Sequence, residues 1–181
     1  MKIYTRKGDG GTTGLLFGGR TAKDSLPIEL NGTVDEAQAM LGWARSLCVA
    51  KGPMNILIAG LERDLWILMA EVATKPENRH KLEAGRTSVT QAMIDALEGH
   101  IDELSQSGEM PSEFVVPGEN QLSAALDVAR TVVRRAERLA VGVNIEGSLV
   151  VPYLNRLSDL VWTLARVAES PAHRTMAKEA P

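Results

Sequence analysis

Cysteine is almost missing from this chain of 181 residues, with Cys48 standing alone. One thiol closes no intrachain disulfide, and no metal-type Cys/His spacing surrounds it, which excludes a disulfide scaffold or zinc module and suits a reducing compartment. Aromatic residues make up only 4%, so the core has to be built from Leu, Ala, Val, Ile and Met. Long apolar runs are lacking too. No stretch approaches the roughly 18 apolar residues that span a bilayer, and the opening Met1-Lys2-Ile3-Tyr4-Thr5-Arg6 has no signal-peptide character. The expectation is a cytoplasmic protein without a membrane partner. Excess positive charge is also absent: a net charge of -3 gives no reason to expect a nucleic-acid partner, so any phosphate chemistry must come from local basic clusters. What is present is ordinary for a soluble domain, with 44% hydrophobic and 24% charged residues. The length suits one domain with a substantial core and is short for two.

Residues 1–32 are rich in turn formers and carry no helical period. Helical periodicity then begins abruptly. Thr33-Val34-Asp35-Glu36 reads as a capping box opening a helix that runs to about Cys48, and Gly52-Pro53 ends that segment. A second helix is expected from about Met54 to Ala73, with Ile58, Leu61, Leu65, Leu68 and Val72 on one face. The charged stretch Thr74 to Thr87 reads as an exposed loop. Ser88 and Gln91 have capping-box spacing ahead of a third helix on Met93, Leu97, Ile101 and Leu104. After a short apolar loop held between Pro111 and Pro117, Asn120 is placed to cap a fourth helix that buries Leu122, Leu126, Ala129, Val133, Ala136 and Ala140. A fifth starts near Pro152 and carries Leu154, Leu157, Leu160, Val161, Leu164 and Val167. The pattern predicts an all-α fold: a five-helix up-and-down bundle over residues 33–168, an irregular glycine-rich N-terminal segment, and a polar tail over 169–181.

Chemistry concentrates in two places. On the fourth helix Arg130, Arg134 and Arg138 fall at i, i+4, i+8 with Arg135 beside them, and only Glu137 interrupts the positive charge. Like charges at that spacing repel, which is explained if an anion is to sit there, and arginine forks bind phosphate oxygens in bidentate geometry. A solvated helix face, or arginines satisfied by neighbouring helices, is the alternative. The second place is Thr5-Arg6-Lys7-Gly8-Asp9-Gly10-Gly11-Thr12-Thr13-Gly14, where glycines would let backbone N–H groups converge on one anion while hydroxyls add donors. It is neither a Walker A loop nor a dinucleotide fingerprint. A flexible leader is its plain alternative, against which Gly18-Gly19-Arg20 and Lys23 add further anion-binding character.

On the last helix Asn155, Asp159, Trp162 and Arg166 would share a polar face, with Arg156 and Asp159 able to pair. That face reads as solvent-exposed, or as a nucleoside reader. Metal cages are not expected, because only Glu77-Asn78-Arg79-His80 has Glu-x-x-His spacing and it lies in the polar loop. No nucleophile elbow or Cys/His pair is present. A protein that handles phosphate without a nucleophile, base or metal cage implies that a bound substrate supplies the reactive atom.

Five segments together resemble the PduO-type ATP:cob(I)alamin adenosyltransferases, the corrinoid adenosyltransferases: Lys2 to Thr13, Gly32 to Glu36, Phe114-Val115-Val116-Pro117-Gly118, Ala129 to Arg138, and Tyr153 to Asp159. They occur in the family's order across nearly the whole chain. The resemblance implies a homotrimer binding ATP, with Mg²⁺, and cobalamin at each subunit boundary, and transfer of the 5′-deoxyadenosyl group of ATP to cob(I)alamin. It implies ATP binding by Thr5, Arg6, Lys7, Gly8, Thr13, Gly14, Lys23, Arg134, Arg135, Glu137, Arg138 and Asn155. Arg134, Arg138 and Phe114 would be catalytic, Asp35 and Arg130 would bridge subunits, and Phe114 and Asp159 would face the corrinoid. A reductase supplying Co(I) and an adenosylcobalamin-dependent acceptor enzyme are the further partners implied. Ala37-Gln38, Glu119 and Asp127 depart from the family pattern near the corrin side. The alternatives are a non-catalytic corrinoid or nucleotide carrier of the same fold, and a structural bundle whose arginines only bridge subunits.

Overall fold

Prolines and one reciprocal cap mark out the helices. The computed structural model describes residues 3–106, 110–111 and 115–169. Its elements in order are β1 (Thr12–Gly14), β2 (Arg20–Ala22), α1 (Leu26–Ser46), α2 (Pro53–Val72), a 3-10 helix at Pro76–Lys81, α3 (Gln91–Gln106), α4 (Gln121–Val143) and α5 (Val150–Val167). Pro27 and Pro53 stand in the first turns of α1 and α2, where a missing N–H costs no helical bond. At α4, Asn120 Oδ1 accepts from the Ser123 amide at 2.9 Å while the Asn120 amide donates to Ser123 Oγ at 3.4 Å. Asn144 ends the same helix in the left-handed conformation, φ 50°.

The chain is mostly helical, as the periodicity predicts, with one small addition and two shifted starts. β1 and β2 form an antiparallel hairpin with Thr13 opposite Thr21, inside the segment expected to be irregular. Strands this short carry no legible alternation, and the reversal depends on Phe17, Gly18 and Gly19, all at positive φ. The first helix begins at Leu26, well before Thr33. Thr33 therefore caps nothing: it lies within α1, and its hydroxyl donates back to the Glu29 carbonyl at 2.9 Å. At α3 the local hydroxyl belongs to Thr90, whose Oγ1 accepts from the Met93 amide at 3.4 Å, while Ser88 pairs with Ala84. The stretch 74–87, expected as loop, includes the 3-10 helix.

Helix directions follow from their cross-links. An added Cβ on Gly142 would stand 3.2 Å from Leu26 at the start of α1, and Glu36 further along α1 meets Arg135, so α1 and α4 run antiparallel. Asn155 meets Glu137 and Arg166 meets Asp127, which sets α5 antiparallel to α4. The central core is formed by Leu30, Val34 and Leu41 of α1, Leu65 and Leu68 of α2, Leu126 and Val133 of α4, and Leu154, Leu157 and Leu160 of α5, all fully buried. Each such side chain contributes about 1.5–3 kcal/mol. α3 is peripheral, burying only Ile94 and Leu97.

Two buried polar hubs tie the periphery to this core. Glu71 near the end of α2 is 2% exposed; its Oε1 accepts from Arg79 at 2.9 Å and from the Ser148 hydroxyl at 2.6 Å, and its Oε2 accepts from the Val89 amide at 2.7 Å. At the other hub Arg166, 2% exposed, lies between Asp127 and Glu169, at 2.5 and 2.8 Å. This removes Arg166 from the solvent-facing stripe expected of the last helix, and it moves Glu169 from the expected polar tail into the interior. Residues 170–181 lie outside the described residues. No described helix is long and apolar enough to cross a membrane.

Candidate functional site

The N-terminal loop is held in shape by its own arginine. Arg20 donates to the carbonyls of Lys7 at 2.7 Å and Thr12 at 2.9 Å, and to the Thr12 hydroxyl at 2.9 and 3.0 Å. Arg20 therefore serves as a staple, where the sequence counted it among anion-binding cations. Around it, Arg6 takes a left-handed φ of 60° and Gly11 one of 78°, conformations a loop adopts to turn successive amides in one direction. Lys23 closes the same loop. Its amide donates to the Gly11 carbonyl at 2.9 Å, and its ammonium lies so close to Gly8 that an added Cβ would stand 3.0 Å from Nζ.

Gly8→Ala is thus expected to displace the flexible end of Lys23 and leave the fold intact. The affinity of the loop for inorganic triphosphate should fall several-fold with a melting temperature within about 2 °C of the parent, as for a surface substitution; an unchanged affinity would show that the ammonium position is immaterial.

Thr13 and Thr21 form the hydrogen-bonded pair of the hairpin, because Lys23 N→Gly11 O and Leu15 N→Gly19 O flank them. The backbone N–H of Thr13 is thereby spent in the ladder, leaving its half-buried hydroxyl as the group it can offer. Gly14 ends β1. The hairpin docks on the end of α2, where the Leu16 amide donates to the Ala73 carbonyl at 2.9 Å and Gly19 packs against Lys75. Under it lies a cavity of about 640 Å³ lined by Leu15, Val72, Lys75 and Ile145 among others.

On α4 the four arginines separate into two kinds. Arg135 pairs with Glu36 of α1, and Arg130, half-buried, pairs with Asp127 at 3.3 Å. For these two the alternative of satisfied arginines holds within the chain. Arg134 and Arg138 are exposed, and among the described residues neither meets a carboxylate; Arg138 donates only to the Arg134 carbonyl, at 3.0 Å. Glu137 accepts from Asn155 at 2.8 Å, so two residues singled out on different helices come together. Asp35 is exposed on α1. Among the described residues, no hydrogen bond or ion pair joins the arginine face of α4 to the glycine loop.

A second concavity, an open groove of about 750 Å³, runs between α3 and α5, bordered by Glu98, Asp159, Trp162, Met110 and Pro111. Arg156 spans it, 2.8 Å from Glu98 and 3.3 Å from Asp159, and the Glu98 hydrogen bond is the main cause raising its guanidinium pKa. Phe114 lies outside the described residues. Asp127, placed on the corrin side by sequence, is 5% exposed and committed to Arg166 and Arg130. Ala37 is fully buried, and the Gln38 amide donates to the Glu62 carbonyl at 2.5 Å. The departures at 37, 38 and 127 are therefore packing residues of the bundle. Tyr153, fully buried, donates to Asp64 at 3.0 Å; burial, then the Asp64 charge, pushes its phenol well up, so it stays protonated and anchors α5 to α2.

Comparison with known proteins agrees with this layout. A family model described as cobalamin adenosyltransferase matches residues 3–168. The chain is 38% identical over 176 residues to a corrinoid adenosyltransferase of Citrobacter freundii, covering 93% of this chain and 96% of that one. It is 41% identical over 172 residues to a corrinoid adenosyltransferase of Mycobacterium tuberculosis, covering 92% and 88%. A variant PduO-type ATP:corrinoid adenosyltransferase from Lactobacillus reuteri, solved in complex with cobalamin and ATP, has a TM-score of 0.83 at 30% identity, covering 92% of this chain and 90% of that one. With the glycine loop, the arginine face and the α5 segment all inside the matched span, the chain belongs to the cobalamin adenosyltransferase family.

Proposed function

We propose that this chain transfers the 5′-deoxyadenosyl group of ATP to cob(I)alamin, releasing triphosphate, in a homotrimer of up-and-down five-helix bundles that works in the cytoplasm. The observation that carries the reading is the pair of exposed arginines, Arg134 and Arg138, without a carboxylate partner among the described residues. The same chain builds a stapled glycine loop with Lys23 at another place. Each is half of a triphosphate clamp, and a second copy of the chain would bring the halves together. Asp35, exposed on α1, is the proposed partner of a neighbouring subunit's arginine at position 130.

Cobalt of the substrate attacks the 5′ carbon, the carbon–oxygen bond to the triphosphate breaks, and the leaving group departs with the electron pair. The chain has to orient the two substrates and stabilise the developing anion. Thr5, Arg6, Lys7, Gly8, Thr13, Gly14 and Lys23 hold the nucleotide from the loop, while Arg134, Arg135, Arg138 and the Glu137–Asn155 pair hold it from the helices. Mg²⁺ bound with ATP would accompany the triphosphate, where it would neutralise charge. The groove beside Asp159, together with Phe114 as the lower-face aromatic, is assigned to the corrinoid. A reductase delivers Co(I), and an adenosylcobalamin-dependent enzyme takes the product.

Mixing the protein with MgATP and cob(I)alamin under anaerobic conditions tests this reading. Appearance of adenosylcobalamin with equimolar triphosphate is the expected result. Binding of both ligands without conversion would make the chain a carrier instead.

A further inference from the structure

The buried hub on α5 is linked to the groove assigned to the corrinoid through one side chain, Trp162. Arg166 is 2% exposed, and a guanidinium that far from water is tolerated only with its charge and donors matched. Asp127 from α4 and Glu169 just beyond α5 supply the match, at 2.5 and 2.8 Å. Asp127 uses its other oxygen for Arg130 at 3.3 Å, so that two arginines and two carboxylates balance. The guanidinium of Arg166 lies over the ring of Trp162, with Cζ 5.6 Å from the ring centroid. Trp162 in turn borders the open groove with Asp159, Met110 and Pro111.

We propose that Arg166 is a positioning residue for the corrinoid side. Fixed by Asp127 and Glu169, it clamps the indole of Trp162 by a cation–π contact and presents that ring as a preformed wall for a large planar apolar ligand. Without the clamp the half-buried indole has rotamers to sample, and binding has to restrict them. Arg166 itself touches no substrate. The inference rests on the assignment of the groove to the corrinoid.

Arg166→Lys separates the two duties of the side chain, because an ammonium keeps the charge that Asp127 and Glu169 need and loses the planar face that stacks on the indole. The expected result, by equilibrium dialysis of the full chain with MgATP and cob(II)alamin, is a corrinoid Kd raised about threefold to tenfold. The ATP KM should stay within twofold, and the effect should vanish when Trp162 is already leucine, since a clamp without its ring has nothing to hold. A purely structural arginine would weaken ATP and corrinoid binding alike, and the loss would persist in the Trp162→Leu background; that outcome overturns the proposal. If Arg166→Lys fails to fold, Trp162→Leu alone decides: an unchanged corrinoid Kd overturns the clamp, and a raised one with unchanged ATP KM upholds it. A parent protein that binds and converts cobalamin while the variants bind it equally well would sink this inference and leave the adenosyltransferase reading standing. A parent protein that binds no cobalamin would sink both.

Discussion

Arg134→Ala is expected to lower kcat by about 10²–10³, the loss that follows removal of one preorganised donor from a developing anion, with the thermal melt unmoved. The stability half of that expectation comes from the surface of α4. Arg134 is exposed, meets no carboxylate among the described residues, and shares its stripe with Arg130 and Arg138. Removing it relieves like-charge crowding and installs the residue of highest helix propensity. Steady-state turnover at saturating ATP and cob(I)alamin, set beside a melting curve, separates the two halves. A variant that keeps turnover within twofold would return the arginine face to a role in assembly alone. Arg135 provides an internal contrast. Its guanidinium is already paired with Glu36 across two exposed side chains, a contact worth at most about 1 kcal/mol to stability, so its truncation is expected to lower turnover less than that of Arg134.

Glu71→Ala is expected to be the most destabilising of these changes. One carboxylate answers Arg79, the Ser148 hydroxyl and the Val89 amide in a site that is 2% exposed. Truncation strands all three donors, at a cost of about 3–5 kcal/mol. For a chain of this length that is a fall in Tm of about 10 °C, measurable by calorimetry. The damage should also reach the nucleotide. The end of α2 carries the hairpin through the Leu16–Ala73 hydrogen bond, and Gly19 rests on Lys75, so a loosened platform should raise the ATP KM even below the new Tm. Unchanged stability would mean that the three donors find water or one another, and that the hub is dispensable.

The helical part was legible because each helix keeps an apolar face of period 3.6, which selects the buried residues expected of α2 and most of those expected of α4 and α5; Leu122 and Val167, expected on the buried faces of α4 and α5, are only half-buried. α1 starts earlier than expected because the turn formers of residues 1–32 run up to the capping-box pattern at Thr33 to Glu36, while the buried face already includes Leu30 and continues through Thr33 and Val34. Here burial against α4 outweighs weak local propensity. Glu71 left no local signal at all: its partners lie 8, 18 and 77 residues away in the chain. Arg166 left a faint one. It follows Leu164 and Ala165 directly, so a charge set among buried neighbours could have been read as an interior ion rather than as the end of a wet stripe. The candidate site was visible as residue types, since glycine, lysine and arginine declare an anion. Which arginines are taken by carboxylates depends on the neighbouring helix, and no spacing rule within α4 shows that.

The staple on the N-terminal loop has a directional consequence. The described chain contains no cis peptide bond, and in a trans peptide the carbonyl of one residue and the N–H of the next point in opposite directions. With Arg20 gripping the Lys7 carbonyl at 2.7 Å, the Gly8 N–H is turned away from Arg20. Glycine allows that peptide plane many orientations, and the arginine selects one. The charge of Arg20 is therefore passed on as a dipole: its guanidinium fixes the negative end of a peptide unit, and with it the direction of the positive end.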